Sequence, residues 1–188
     1  MNKKLAAALA GGAALALALT GCGDDKGKET EAWAKDVCQD VKPQVRKIQQ
    51  ANESINQASE EKQSPKEVQK ADSAAFQDIS EAYKALAKAV DAAGDPPVDD
   101  GATLRKNAVK ELNGLSTEYG ELKKTVDEMD TGDQSKFADG LQDLAERLGK
   151  LGKSGDKSLQ KLQSGELGAA MAEQPGCKKP SSAGTPSA

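Results

Sequence analysis

The chain has 188 residues, which is room for one domain. Charged residues make up 30% of it and aromatic residues 3%, a balance typical of a helical bundle with narrow apolar seams and a solvated exterior. The net charge of −4 gives no support for nucleic-acid binding, which needs a concentrated basic face. Because the sequence contains no histidine, it lacks the commonest general base and the commonest nitrogen ligand for metals.

The N-terminal segment has the pattern of an export signal. Lys3 and Lys4 form a short positive region, and an apolar stretch of alanine and leucine follows over residues 5–19. This stretch is the right length for a signal peptide and too short for a transmembrane helix. It ends in the sequence LTGC at residues 19–22, which resembles the lipobox of bacterial lipoprotein precursors. An ordinary secretory signal with an incidental cysteine is the alternative.

The lipobox resemblance implies that Cys22 carries a lipid. In such precursors a diacylglyceryl group is attached to the cysteine sulfur, and the signal is then removed in front of that residue. Residues 1–21 are therefore predicted to be a lipoprotein signal peptide, and Cys22 the first residue of the mature chain. Because each buried CH₂ contributes about 0.8 kcal/mol, two or three acyl chains would hold the protein at the outer face of the cell membrane.

The first long helix is predicted to follow a short tether. Residues 22–29 are polar and contain glycine, and we expect the acylated cysteine and this segment to form a flexible tether. Apolar residues then recur every three or four positions over residues 30–63, which predicts a helix. Pro43 lies inside this helix. Because proline removes a helical hydrogen bond, we expect the helix to be kinked or broken near Pro43.

Three further helical segments are predicted in chain order. The second starts at the sequence SPKE, which can form a capping box, and covers residues 64–93. The third covers residues 103–129, with apolar residues at almost strict 4-3 spacing. The fourth covers residues 134–163, and its glycines make a break near Gly155 the alternative to one continuous helix. A short amphipathic turn follows at residues 165–173.

These segments predict an all-α fold. Long helices joined by short connections pack against their sequence neighbours in opposite directions. We therefore expect an antiparallel, up-down-up-down four-helix bundle over residues 30–177, followed by a disordered tail over residues 178–188. An extended coiled-coil hairpin that dimerises is the alternative, since the same spacing suits both. A monomer is preferred because four helices of one chain can bury their own apolar stripes.

The two remaining cysteines, Cys38 and Cys177, are predicted to form a disulfide. Export permits a disulfide, and assigning Cys22 to lipid leaves an even number of thiols. Cys38 lies early in the first helix, and the fourth helix returns toward the same end before Cys177. The alternative is two unpaired thiols. A nucleophilic cysteine is disfavoured because no histidine is available to activate it.

No catalytic, metal or cofactor site is predicted. Histidine-based triads, metal sites and haem ligation are excluded by composition. The acidic sequences DPPVDDG and DEMDTGD lack the spacing of a calcium-binding loop, so we assign them to helix caps and turns. Trp33, Tyr83 and Tyr119 fall on apolar stripes, where core packing explains them better than a ligand cavity does.

The layout of the whole chain resembles the small secreted lipoproteins of high-GC Gram-positive bacteria. The resemblance rests on the lipobox cysteine, the alanine-rich helices, one cysteine early in the first helix and one after the last. Most of those proteins lack an assigned function. The resemblance therefore implies a location outside the cytoplasm, attached to the membrane by acyl chains, and it implies no active site.

Two functions remain open on the sequence alone. The preferred one is a non-catalytic interaction or envelope protein with an unknown protein partner. The alternative is a lipoprotein that holds a small or lipidic ligand between its helices, which requires a cavity of several hundred Å³. A bundle packed solid along its stripes would exclude that alternative. We do not expect an enzyme, because nothing in the sequence singles out a pair of carboxylates or lysines for catalysis.

Overall fold

The computed structural model describes residues 23–60, 63–154 and 157–178. Over these residues the chain is helical with no strand, which confirms the predicted all-α class. The predicted signal peptide, Cys22 and residues 179–188 of the predicted tail lie outside the described residues. In chain order the described helices are α1 (Gly23–Glu60), α2 (Pro65–Ala92), α3 (Gly101–Asp127), α4 (Gln134–Ser154), α5 (Lys157–Leu162) and α6 (Gly165–Glu173).

Helix α1 corrects the expected tether. The residues predicted to be flexible are helical from Gly23 onward. Asp25 lies near the start of the helix, where a negative charge interacts favourably with the helix dipole. Thr30 is buried, and its hydroxyl donates to the carbonyl oxygen of Lys26 at 2.9 Å. The first turns therefore continue directly into the packed part of the helix.

The helix was expected to be kinked or broken near Pro43, and the alternative of a break is wrong, because α1 is continuous through this residue. A proline inside a helix costs about 3 kcal/mol through its missing N–H and its ring. Here Pro43 is exposed, while Val37 before it and Ala51 after it are buried. Packing on both sides of the proline holds the two halves of α1 in one helix, since tertiary burial supplies most helix stability in proteins.

The boundaries of the next helices follow local signals in the sequence. At the start of α2 the hydroxyl and the backbone N–H of Ser64 donate to Glu67 Oε2, at 2.7 and 2.9 Å, and lower the pKa of that carboxyl. Gly94 follows the end of α2 with a φ of 74°, a conformation that glycine adopts without strain. The expected fourth helix corresponds to α4 and α5, and the predicted alternative of a break near Gly155 falls on residues 155 and 156, outside the described residues.

The buried side chains form two clusters. The first core cluster lies toward the N-terminal half of α1 and includes residues of α2, α3, α5 and α6. The second core cluster lies toward the C-terminal half of α1 and includes residues of α2, α3 and α4. The members include Trp33, Val37, Leu86, Leu112, Leu162 and Leu167 in the first cluster, and Phe76, Ile79, Leu122, Val126 and Leu144 in the second.

The two clusters share α1, α2 and α3 but are completed by different helices. Helix α4 packs on α3 near the second cluster, where Arg147 Nη1 donates to Thr125 Oγ1 at 2.7 Å. At the first cluster α5 packs on α3 and α6 packs on α1. Among the residues that the structure describes, no helix combines the length and the hydropathy needed to cross a membrane.

Candidate functional site

A cavity of about 430 Å³ lies between α1, α2 and α4, beside the second core cluster. Helix α1 contributes Ile55 and Ala58 to its wall, and α2 contributes Val68 and Phe76. The cavity reaches the surface, since its lining also includes the exposed residues Ser59, Gln134, Ala138 and Ala145. A small molecule could therefore enter it from solvent.

Helix α4 supplies the largest part of the apolar wall. Its contributing side chains recur at intervals of three or four residues, so they share one face of the helix: Phe137, Leu141, Leu144 and Leu148. Opposite them, α1 presents the small side chain of Ala58. The face of α4 was predicted as an apolar stripe for core packing. In the structure, part of that apolar stripe lines the cavity.

Asp72 is the charged side chain among the described residues that line the cavity. It is only 4% exposed, and its Oδ1 atom has no hydrogen-bond partner in the described part of the protein. Burial raises the pKa of this carboxyl from 3.8 to about 6. Val68 and Phe76, one turn before and one turn after it on α2, also line the cavity. The carboxylate therefore sits in an apolar wall without a compensating partner.

Sequence reasoning missed Asp72, although a signal was present. The residue lies four positions after Val68 and four before Phe76, so it occupies the buried face of α2. A charged residue at such a position is rarely fully buried unless it is paired. The clue was an acid inside an apolar stripe, but a sequence does not show whether a basic partner lies opposite.

The predicted cysteine pair is brought together at the other end of the molecule. Cys38 on α1 and Cys177 are joined as a disulfide, with their Cα atoms 5.2 Å apart. Helix α6 packs on α1, and the turn after it leads to Cys177. Gly176 permits this approach, because a Cβ atom at that position would overlap the carbonyl oxygen of Cys38. This arrangement is consistent with the predicted disulfide.

Trp33 and the two tyrosines, Tyr83 and Tyr119, lie outside the cavity lining. Trp33 is buried in the first core cluster, and its Nε1 donates to the carbonyl oxygen of Gly94 at 3.0 Å. Tyr83 and Tyr119 stack with ring centroids 5.5 Å apart. Burial, with a smaller contribution from Tyr119, raises the pKa of Tyr83 to about 12. Core packing therefore explains all three, as expected from the sequence.

The two acidic loops are occupied by turn and capping interactions. Asp133 Oδ1 accepts from the backbone N–H groups of Ser135 and Lys136, at 3.1 and 3.2 Å, and the pKa of this carboxyl is lowered by Lys136. In the other loop Asp95 accepts from Arg105 Nε at 2.6 Å. Over the described ranges, no group of three or more acidic or cysteine side chains is arranged to hold a metal ion.

Within the described residues, the apolar cavity is a site with clear chemical character, because its wall contains a carboxylate whose Oδ1 atom has no hydrogen-bond partner. The function of this cavity is therefore argued from the chemistry of its lining residues. Comparison of the chain with models of known protein families, with curated proteins and with solved structures finds no match.

Proposed function

We propose that the protein is a membrane-anchored extracytoplasmic lipoprotein that binds a small apolar or lipidic molecule in the cavity between α1, α2 and α4. The cavity carries the proposal. Its volume of about 430 Å³ falls within the range of small-molecule sites, and its wall is mostly apolar with a few polar residues, as such sites usually are. This favours ligand binding over the non-catalytic interaction with a protein partner that the sequence suggested first.

The cost of burying Asp72 supports the same proposal. An unpaired carboxylate in an apolar wall lowers stability, because the ionised form loses its hydration without gaining a partner. A leucine at the same position of α2 would continue the apolar face between Val68 and Phe76. A residue that opposes folding in this way is typical of a functional site.

The proposed anchor and the cavity lie far apart along α1. Cys22, the proposed acylated residue, directly precedes α1. At 1.5 Å per residue, the helix axis extends about 48 Å from Gly23 to the cavity residue Ile55. With α1 upright on the membrane, a ligand would enter from the extracytoplasmic side and not directly from the bilayer that holds the acyl chains.

We also propose that α1 to α4 have the antiparallel, up-down-up-down topology. Three pairs of contacts support it. For α1 and α2, residue 33 contacts residue 94, just after the end of α2, and residue 47 contacts residue 81. For α2 and α3, residue 80 contacts residue 116, and residue 91 contacts residue 105. For α3 and α4, residue 125 contacts residue 147, and residue 129, just after the end of α3, lies beside residue 140. Spin labels at Glu31 and Ala92 should be closer together than labels at Glu31 and Lys66. Equal separations would contradict the topology.

A neutral apolar fluorophore tests ligand binding. The chain from residue 22 onward, with Cys22→Ala, should bind N-phenyl-1-naphthylamine saturably at one site. Ala138→Trp should abolish binding, because an indole at the rim would fill the cavity. Ala172→Trp is the matched control, since Ala172 is exposed on α6 and outside the cavity lining. Absence of saturable binding, or equal binding by both tryptophan variants, would overturn the proposal.

Cell fractionation tests the anchor. In a bacterium that processes lipoproteins, Cys22→Ala should move the protein from the membrane fraction into the medium. The paired variant Cys38→Ala/Cys177→Ala should stay in the membrane fraction, because it keeps the acylated residue. Membrane retention of the Cys22→Ala protein would contradict the proposed lipid attachment.

A further inference from the structure

We propose that the cavity selects amphiphilic molecules that carry a protonated amine, with the amine bound to the Asp72 carboxylate and the apolar part packed against α1, α2 and α4. This inference rests on the proposed ligand binding and names the class of ligand. Two structural observations lead to it, the position of Asp72 among the lining side chains and the absence of any basic group beside it in the described lining.

The first step concerns charge complementarity. Besides Asp72, the described lining consists of apolar side chains and the neutral polar residues Ser59, Gln63 and Gln134. Within that described lining a ligand therefore meets one fixed charge, and that charge is negative. An ammonium group supplies the opposite charge and up to three N–H donors, and hydrogen bonds between ionised partners are about twice as strong as neutral ones.

The second step concerns the reach of the carboxylate. Asp72 Oδ1 is buried and has no partner within the described residues. The terminal torsion of an aspartate is broad, so either oxygen can turn toward a group in the cavity with little strain. Val68 and Phe76 flank the carboxylate by one turn on each side. A ligand amine at Asp72 therefore leaves the rest of the molecule in contact with apolar surface.

The third step excludes the competing classes of amphiphile. A fatty acid would place a second carboxylate against Asp72, and two like charges in an apolar site repel each other strongly. A fatty alcohol can donate one neutral hydrogen bond and gains no charge attraction. The expected order of affinity for chains of equal length is therefore amine, then alcohol, then carboxylic acid.

A matched series of ten-carbon amphiphiles tests this order. Decylamine, decan-1-ol and decanoic acid compete with bound N-phenyl-1-naphthylamine at pH 7.5, each below its aggregation concentration. We expect decylamine to bind about tenfold or more tightly than decan-1-ol, and decanoic acid to bind weakest. Asp72→Asn and Asp72→Ser should reduce the amine preference, taken as the ratio of the decan-1-ol and decylamine dissociation constants of the same variant, to less than about twofold. Asp139→Asn, on the exposed side of α4, should leave the preference unchanged.

The outcomes separate this inference from the proposed function. Fluorophore binding with equal affinities for the three competitors would overturn the amine inference and leave ligand binding intact. No fluorophore binding would overturn both. Sedimentation velocity in the same buffer reports a further outcome. A dimer that dissociates when the fluorophore binds would mean that a second copy of the chain occupies the cavity, which would also overturn the inference.

Discussion

The two core clusters are built from the same three long helices, yet they are completed differently. At the first cluster the C-terminal helices α5 and α6 cover the helices, and the Cys38–Cys177 disulfide joins the end of the domain to α1. At the second cluster α4 covers the helices without a covalent link, and a cavity of about 430 Å³ remains beneath it. One end of the molecule is closed, and the other end is open.

The difference shows how one small helical domain can combine stability with a binding site. The disulfide closes a loop between residues 139 positions apart, which limits the unfolded chain far more than it limits the open end of the folded one. Stability gained at the first cluster can offset the cost of a cavity and a buried carboxylate at the second. Binding sites are commonly drawn from the less stable parts of a structure for this reason.

Removal of the disulfide should have the largest effect on this contrast. The variant Cys38→Ala/Cys177→Ala should unfold with a free energy lower by about 2–5 kcal/mol, because the long loop is no longer closed in the unfolded state. Urea unfolding followed by circular dichroism measures this change. Reductant added to the unmutated protein is the control and should have the same effect. An unchanged urea midpoint would show that the closed end does not depend on the covalent link.

Truncation of one leucine at each end compares the packing of the two clusters. Leu167 of α6 is 2% exposed in the first cluster, so Leu167→Ala should cost about 2–5 kcal/mol. Leu148 of α4 is half-buried and already borders the cavity, so Leu148→Ala should cost about 1 kcal/mol or less. Thermal unfolding of both variants gives the comparison. Equal losses would mean that the second cluster is packed as tightly as the first.

Neutralising Asp72 should stabilise the open end. The pKa of this carboxyl is about 6 in the folded protein and 3.8 ordinarily, so the folded state holds the proton more tightly. Folding stability therefore falls as the pH rises from about 4 to about 6 and stays low above that range. Asp72→Asn should raise the free energy of unfolding by about 1–3 kcal/mol at pH 7.5 and by much less at pH 4.

Urea unfolding of both proteins at the two pH values measures this difference, and other carboxyls cancel because both proteins share them. Asp139→Asn serves as the control for loss of one negative charge, since Asp139 is exposed. A stability gain that is the same at pH 4 and pH 7.5 would contradict an ionised, unpaired Asp72. The largest expected changes in stability are therefore at the closed end, from the disulfide and Leu167, and the smaller ones are at the open end, from Leu148 and Asp72.

Much of the fold follows from local patterns in the sequence. The SPKE sequence marks the start of α2 because Ser64 and Glu67 satisfy each other within one turn. The apolar stripe of α3 predicts both ends of the helix to within two residues: residues 103–129 were predicted, and Gly101–Asp127 is observed. The pairing of Cys38 with Cys177 could also be predicted, because helices that run in opposite directions bring residues far apart in the sequence to the same end of the bundle.

Other features were predicted incorrectly or not at all. Pro43 was expected to kink or break α1, and no break occurs, because the strength of tertiary packing on either side of a proline is not specified by the local sequence. The tether was expected to be flexible from its polar composition, although the helix that follows extends back to Gly23. Asp72 was overlooked because its significance depends on what lies opposite α2.

The sequence by itself determined the helical class, the absence of histidine chemistry and an N terminus that resembles a lipoprotein signal. These features depend on composition or on hydrogen bonds and contacts between residues a few positions apart. Only the tertiary structure decided that an open cavity lies beside the second cluster and that Asp72 Oδ1, in its wall, has no hydrogen-bond partner among the described residues. The physical reason is that a cavity is the volume left between helices far apart in the chain, and no local pattern specifies how closely those helices approach.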